Sequence, residues 1–165
     1  MTEKGECKLD IRFLRESDFE LINGSINEWW GGRQMQGMLP RLFFTYFSNT
    51  SYVVEENKEL VGFLVGFQSP AEPERGYIHF VGVAPNARRA GIGSFLYKTF
   101  FEKMMSLKVR EVYGITSPVN KKSIAYHQQM GFSIVKGTKE IDGISVQENY
   151  DGVGVDRVVF KKDLS

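Results

Sequence analysis

One segment constrains this chain more than any other. An apolar run, Ile78-His79-Phe80-Val81-Gly82-Val83, leads through Ala84-Pro85-Asn86-Ala87-Arg88-Arg89-Ala90-Gly91 into an amphipathic stretch over residues 92–107. The run has the length and composition of a strand. In the stretch that follows, Ile92, Phe95, Leu96, Thr99, Phe100 and Lys103 share one helical stripe, the last of them polar. A strand delivered into a helix across two arginines and two glycines is an anion site. The first helical N–H groups have no intrahelical partner, and the helix dipole adds partial positive charge. Glycine lets a ligand approach the backbone closely, and the arginines supply full charge. A phosphate or pyrophosphate is the natural guest.

The spacing rules out two common phosphate sites. A P-loop needs Gly-Lys closed by Ser or Thr, whereas Gly93 precedes Ser94-Phe95. A dinucleotide fingerprint needs a small residue three positions after Gly93, where Leu96 stands. What remains is Arg-x-x-Gly-x-Gly, written Arg88-Arg89-Ala90-Gly91-Ile92-Gly93. A second segment follows at Ser117-Pro118-Val119-Asn120-Lys121-Lys122-Ser123-Ile124-Ala125-Tyr126-His127-Gln128-Gln129-Met130-Gly131-Phe132. Asn120 suits a helix N-cap, Gly131 suits a left-handed helix stop, and Phe132 begins the next strand. In order and separation, the two segments resemble the acetyl-CoA signature and the late motif of the GNAT family of N-acetyltransferases. The resemblance covers residues 53–135.

That resemblance implies one acyl-CoA N-acyltransferase domain over residues 1–165, an α/β (mixed α+β) fold whose sheet splays between its fourth and fifth strands. It implies direct transfer of the acetyl group of acetyl-CoA to a primary amine of a small molecule or peptide. The loop Arg88, Arg89, Ala90, Gly91, Ile92, Gly93 and Ser94 then wraps the pyrophosphate. Val81 and Val83 bind along the strand, with a backbone N–H of residues 81–83 as oxyanion donor. Asn120, Ser123 and His127 contact the coenzyme from the later helix. His79 stands near a place where some family members carry a basic histidine, and a pKa near 6.5 suits proton removal. By alternation it shares a face with Val81 and Val83, opposite Phe80 and Gly82; a core histidine bonded to backbone is the plainer reading. His127 stands where the family usually has the tyrosine that protonates the departing thiolate. Tyr126 is one position earlier, about 100° around the helix, and reads as core. The histidines thus divide the proton work, His79 on the amine side and His127 on the thiol side. Trp29-Trp30-Gly31-Gly32-Arg33 falls in the connection that covers the acceptor in the family. Its tryptophans can wall a cation and Arg33 can hold a carboxylate, while a helix end packing both tryptophans into the core is the competing reading. Tyr150, Asp151, Asp156 and Arg157 are expected near the same pocket, with no role assigned.

Composition narrows the classes. At 165 residues the chain is one domain in size and buries enough surface to fold without staples. Its 21 Lys plus Arg against 20 Asp plus Glu leave a net charge of +1, which gives no electrostatic case for nucleic acid or anionic membrane. Cys7 is the only cysteine, so no internal disulfide is expected. Two histidines and one cysteine make no zinc pattern, so no metal is expected. No apolar run approaches the roughly 20 residues of a membrane span, and residues 1–10 carry no apolar signal region. A cytoplasmic protein is the expectation, and homodimers are common in such folds. Two competing functions stay open. A non-catalytic acyl-CoA-binding module fits the coenzyme motifs equally well. A nucleic-acid partner acting through Arg88, Arg89, Lys121 and Lys122 is opposed by the near-neutral charge.

Local patterns predict the elements in order. A strand over residues 9–14 precedes a helix capped by Ser17-Asp18, running to Trp30 and broken by Gly31-Gly32. A helix over 39–47 opens at Pro40. Residues 51–56 and 60–67 make a hairpin turning at Asn57-Lys58, and the apolar run 61–67 reads as a strand covered on both faces. A loop spans 69–75, then a strand 77–83 and the helix over 92–107. A strand over 111–116, a helix over 120–130 and a strand over 132–136 follow. Residues 139–154 are Gly- and Asp-rich, and 157–160 close the sheet. Hairpins interleaved with helices predict a mixed, mostly antiparallel sheet of about six or seven strands flanked by about four helices.

Overall fold

Nine strands and four α-helices form along residues 8–88 and 91–164, the residues described by the computed structural model. Cys7, Arg89 and Ala90 lie outside them. In chain order these are β1 (Leu9–Phe13), α1 (Phe19–Trp29), α2 (Arg41–Tyr46), β2 (Tyr52–Glu56), β3 (Glu59–Gln68), β4 (Arg75–Val83), α3 (Ile92–Ser106), β5 (Glu111–Thr116), α4 (Lys121–Gln129), β6 (Ser133–Ile134), β7 (Lys139–Ile141), β8 (Ile144–Val146) and β9 (Val158–Asp163). Seven strands form one sheet in the order β1-β2-β3-β4-β5-β9-β6, and β7 pairs with β8 apart from it. The β4–β5 ladder is parallel, from Arg75↔Glu111 to Tyr77↔Tyr113. β1–β2, β2–β3, β5–β9 and β6–β9 are antiparallel. The mixed, mostly antiparallel sheet expected from the sequence is therefore the one observed. Two compact units divide the chain: residues up to Phe67 with Phe80–Phe100, and Gln68–His79 with residues from Phe101 onward.

In the first unit, the β2–β3 turn places both Asn57 (φ 51°) and Lys58 (φ 70°) in the left-handed region, the conformation a two-residue hairpin needs to match strand twist. β3 is buried at every position from Val61 to Gly66, so both of its faces are covered. On one face α3 lies unusually close. A Cβ on Gly62 would stand 2.8 Å from Ile92 Cγ2 and 3.3 Å from Leu96 Cδ1. α1 buries Ile22, Ile26 and Trp29, each such side chain contributing about 1.5–3 kcal/mol.

Three local expectations change here. The buried stripe of α3 is Ile92, Leu96, Tyr97 and Phe100, continuing to Met104, while Phe95 is 40% exposed and Lys103 is half-buried. Apolar residues surround this helix, so sequence alone did not decide which flank turns inward. Asp18 starts α1 without a side-chain cap. Its carboxylate instead accepts from the Arg15 N–H (2.7 Å) and from both Arg12 Nη atoms (2.8 Å). Pro40 is the N-cap of a shorter α2 rather than part of its first turn.

In the second unit, β9 does not close an edge. It lies between β5 and β6, pairing Thr116↔Val158 through Glu111↔Asp163 on one side and Ser133↔Lys161 on the other. β6 is only two residues long and is the edge. The Gly- and Asp-rich segment contains the β7–β8 hairpin, whose turn residues Asp142 (φ 50°) and Gly143 (φ 77°) are again left-handed. The core of this unit gathers Met104, Val109, Val112, Ile124, Phe132, Val146, Val158 and Phe160.

Gly62→Ala is expected to lower the unfolding free energy by about 1–3 kcal/mol through overpacking against Ile92, as read by urea denaturation. Ile92→Ala in the same chain removes the struck methyl, so the double mutant should cost less than the sum of the singles. Strict additivity would show that α3 does not rest on Gly62.

Candidate active site

The strand-to-helix turn is built from backbone. β4 ends at Val83, and Ala84 donates its N–H to the Val61 carbonyl (2.8 Å), tying the turn to β3. Pro85–Ala87 form one 3-10 turn. Gly91 adopts φ +75°, a conformation that strains other residues, and nothing stands within 4 Å of the place its Cβ would occupy. The first α3 hydrogen bond runs from the Phe95 N–H to the Gly91 carbonyl (3.0 Å). The N–H groups of Ile92, Gly93 and Ser94 therefore precede the helical ladder, at the positive end of a 15-residue helix beside open space. Those donors fit phosphate oxygens. Arg88 is used differently from the sequence expectation. Its Nη2 donates to the Trp29 carbonyl (2.6 Å) and its Nε to the Val83 carbonyl (3.3 Å). The guanidinium thus caps the negative end of α1 and joins it to the end of β4. Arg89 and Ala90 lie outside the described residues.

Exposure along β4 alternates as expected. Ile78, Phe80 and Gly82 are buried, while Tyr77, His79, Val81 and Val83 are half-buried. On the buried register, Phe80 meets the Trp30 ring at 4.9 Å and the Phe63 ring at 6.0 Å. A Cβ on Gly82 would stand 2.7 Å from Trp30 Cη2. Trp30 thus packs, half-buried, against Gly82 and Phe80 of β4, its ring tilted 53° to that of Phe80. Trp29 is 9% exposed and packs on Phe63 (5.9 Å), so it belongs to the core. Gly31 (φ 67°) and Gly32 (φ 85°) end the helix, and Arg33 is exposed. The connection beyond is held by α1 amides: Asn27 Oδ1 accepts from the Met35 N–H (2.7 Å), and Asn23 Nδ2 donates to the Gln36 carbonyl (3.2 Å).

Helix α4 carries the other candidates. Asn120 is its N-cap, accepting from the Ser123 N–H at 3.3 Å, as its residue type implied. Gly131 takes φ 90° after the last turn. His127 Nδ1 lies 2.8 Å from the Ser123 carbonyl oxygen, which can only accept, so Nδ1 carries the proton and Nε2 the lone pair of the neutral ring. The Ser123 hydroxyl stands 3.3 Å from the same nitrogen. The ring stacks flat on Phe160 (4.3 Å, 1°), meets Phe132 edge-on (5.4 Å), and rests with Nε2 toward Gly114. Burial pushes its pKa below the ordinary 6.5, against the opposing pull of the Ser123 carbonyl. Tyr126 is half-buried rather than core.

Sequence reasoning passed over Tyr77. It sits two residues before His79 in the same half-buried register, and burial raises its pKa, aided by Tyr150 and Asp151 and opposed by Arg157. The alternation of β4 was the available signal.

A mixed seven-stranded sheet with a glycine-bearing turn from β4 into α3 defines the acyl-CoA N-acyltransferase class of fold. The chain matches the Acetyltransferase (GNAT) family over residues 19–132 and belongs to that family. It is similar to the L-2,4-diaminobutyric acid acetyltransferase of Shouchella clausii, 31% identical over 88 residues, 53% of this chain and 49% of that protein. It is also similar to N-alpha-acetyltransferase 30 of Dictyostelium discoideum, 32% identical over 97 residues, 58% of this chain and 52% of that protein. The chain thus spans about half the length of these relatives. The diaminobutyrate acetyltransferase EctA of Paenibacillus lautus, solved with its substrate L-2,4-diaminobutyric acid and coenzyme A, superposes with a TM-score of 0.68 at 20% identity, covering 96% of this chain and 97% of that one. No helix among the described residues is long and apolar enough to cross a membrane.

The His127 environment has a thermodynamic signature. With its folded pKa below 6.5, the unfolded chain binds this proton first as pH falls. Stability from the neutral ring is therefore complete above about pH 6.5 and declines below it until the folded pKa is passed. The difference in unfolding free energy between wild type and His127→Gln should shrink over that window, at up to about 1.4 kcal/mol per pH unit for one proton. Parallel curves would place the ring in water.

Proposed function

We propose that the chain is a single-domain, cytoplasmic N-acetyltransferase that moves the acetyl group of acetyl-CoA directly to a primary amine. The observation that carries this reading is the row of N–H donors at Ile92, Gly93 and Ser94 beside the open left-handed Gly91, in a chain of the GNAT family. Val81, Val83 and the loop Arg88, Arg89, Ala90, Gly91, Ile92, Gly93 and Ser94 bind the coenzyme, with Asn120, Ser123 and His127 contributing from α4. Arg88 serves by holding the loop to the end of α1. The acceptor is a small amine; the diaminobutyrate acetyltransferases among its relatives support this, while N-alpha-acetyltransferase 30 keeps a peptide N-terminus as an arm of the test. Trp30 and Arg33 lie on the acceptor side, and no nucleic acid or metal takes part. Two copies pair in solution as such folds commonly do.

In the reaction the amine nitrogen attacks the thioester carbonyl carbon. A C–N bond forms, the C–S bond breaks, and coenzyme A leaves as the thiolate. His79 takes the proton that the attacking amine sheds. The thiolate must regain a proton, and a His127 neutral at pH 7 cannot supply one at the outset. His127 therefore works as a relay: His79 releases the amine's proton to solvent, His127 takes one up from solvent at Nε2 and passes it to sulfur, so the amine's loss and the thiol's gain balance. A non-catalytic acyl-CoA-binding module is the competing reading, favoured by histidine standing where the family usually has tyrosine.

Thiol release from acetyl-CoA across a panel of amines separates the two. The enzyme releases thiol only with an amine present; the module binds without turnover. Acetyl-CoA at about 100 times its dissociation constant should add about 2.7 kcal/mol of stability. Gly91→Ala and Gly91→Asp should each cost about 1–2 kcal/mol by forcing a side chain into the left-handed conformation. Only the aspartate should abolish the ligand-induced shift. An undiminished shift in Gly91→Asp removes the loop from the coenzyme site.

His79→Ala is expected to lower turnover by about 10²–10⁴-fold with coenzyme affinity unchanged. The loss should narrow at high pH, where the amine is already deprotonated. Wild-type turnover across the whole pH range would make His79 structural.

A further inference from the structure

The last carbonyls of an α-helix have no intrahelical partner. At the end of α1 the carbonyls of Ile26, Glu28, Asn27 and Trp30 accept the N–H groups of Trp30 (3.1 Å), Gly31 (3.0 Å), Gly32 (2.7 Å) and Arg33 (3.3 Å). The Trp29 carbonyl accepts instead from Arg88 Nη2 at 2.6 Å, 59 positions along the chain. Arg88 Nε donates at 3.3 Å to the carbonyl of Val83, the last residue of β4. One guanidinium therefore bridges a helix end and a strand end. These bonds use two of its five N–H donors and hold the plane of the fork. Both acceptors are neutral, so neither bond cancels the positive charge.

The bridge meets α1 where both tryptophans of the chain stand. Trp29 packs on Phe63 at 5.9 Å. Trp30 packs on Phe80 at 4.9 Å and so close over Gly82 that a Cβ there would stand 2.7 Å from its Cη2. At its other end the bridge belongs to the turn into α3. Arg88 lies three residues before Gly91, a span of at most about 11 Å. The N–H groups of Ile92, Gly93 and Ser94 follow Gly91 directly, ahead of the helical ladder. Ala84 pins the start of the same turn to the Val61 carbonyl of β3 (2.8 Å). An anion drawn onto those three N–H groups therefore acts on a turn that is fixed to β3 and tied to α1. Any adjustment of the turn reaches the tryptophans through the Arg88 fork.

We infer that Arg88 is a positioning residue that couples the coenzyme turn to the tryptophan pair, so that coenzyme seated at the start of α3 changes the packing of Trp29 and Trp30 and strengthens acceptor binding. This rests on the acetyltransferase reading above and on its placement of Trp30 on the acceptor side. The coupling needs no contact between Arg88 and either ligand. A turn held by one ligand is already held when the other arrives, so the second binds without ordering it again. The effect is reciprocal, and the acceptor strengthens coenzyme binding by the same factor. A guanidinium acting on phosphate alone gives a different pattern: its loss would weaken coenzyme binding and leave the acceptor and the tryptophans untouched.

The test titrates coenzyme A into the protein and follows tryptophan fluorescence, with calorimetry on the same samples. Wild type should show a saturable fluorescence change whose midpoint matches the calorimetric dissociation constant. Trp29→Phe and Trp30→Phe assign the signal to its ring. Arg88→Gln should still bind coenzyme A, because the N–H groups of Ile92, Gly93 and Ser94 remain, but should lose most of the fluorescence change at saturation. Arg88→Lys keeps the charge without the fork and should restore part of it. With the panel amine of highest turnover, Arg88→Gln should raise the amine KM by about 5-fold or more and lower kcat far less. An equal fluorescence change in Arg88→Gln, saturable binding to wild type with no change at all, or an unaltered amine KM overturns the inference and leaves the acetyltransferase reading intact. Absence of thiol release with every amine defeats the acetyltransferase reading, and the fluorescence titration then judges the Arg88 coupling by itself. If Arg88→Gln unfolds, Arg88→Lys carries the same comparison.

Discussion

Helix α3 is seated by glycines on two strands beneath it. At Gly62 of β3 a Cβ would stand 2.8 Å from Ile92 Cγ2 and 3.3 Å from Leu96 Cδ1, and at Gly76 of β4 another would stand 2.8 Å from the Met104 sulfur. Removing the Cβ brings helix and strand nearer than ordinary side chains permit, so the buried stripe of Ile92, Leu96 and Phe100 seats against backbone. The seating sets the position of the first turn. Ile92 is 2% exposed and only one residue beyond the left-handed Gly91. The N–H groups offered to an anion are therefore held by the core itself. A site of this kind needs no flexible side chain to create it, which is why the turn tolerates Arg88 being spent on the carbonyls of Trp29 and Val83.

The same economy governs His127. Its ring lies on Phe160 and against Phe132, and its Nδ1 proton is committed to the Ser123 carbonyl. Burial makes the charged form costly and the hydrogen bond selects one tautomer, leaving a basic Nε2 beside Gly114. In the proposed mechanism a tyrosine at this position would begin the cycle holding a proton, whereas this histidine begins it without one.

Much of this was legible from residues alone, where local chemistry had one answer. Asn57-Lys58 between two apolar runs made a hairpin, Asn120 made a cap, and Gly131 made a stop, since each residue type solves a backbone problem that its neighbours pose. The rotation of α3 was not legible, because Phe95, Tyr97 and Phe101 ring the helix with apolar surface and only the glycines beneath choose among them. Nor was the β7–β8 hairpin read from its Asp142-Gly143 signal, as the short strands beside it hold three residues each. Arg88 was expected to meet a phosphate, and no local pattern told of a carbonyl 59 positions earlier in the chain.

The most direct measurement is amide NMR of the isotopically labelled protein titrated with coenzyme A. Shift changes and slowed hydrogen exchange concentrated at the N–H groups of Ile92, Gly93 and Ser94 are the expected result, because those donors lie outside the helical ladder and would bond the pyrophosphate. Saturable binding that leaves these three amides unaltered would contradict an anion site at the start of α3.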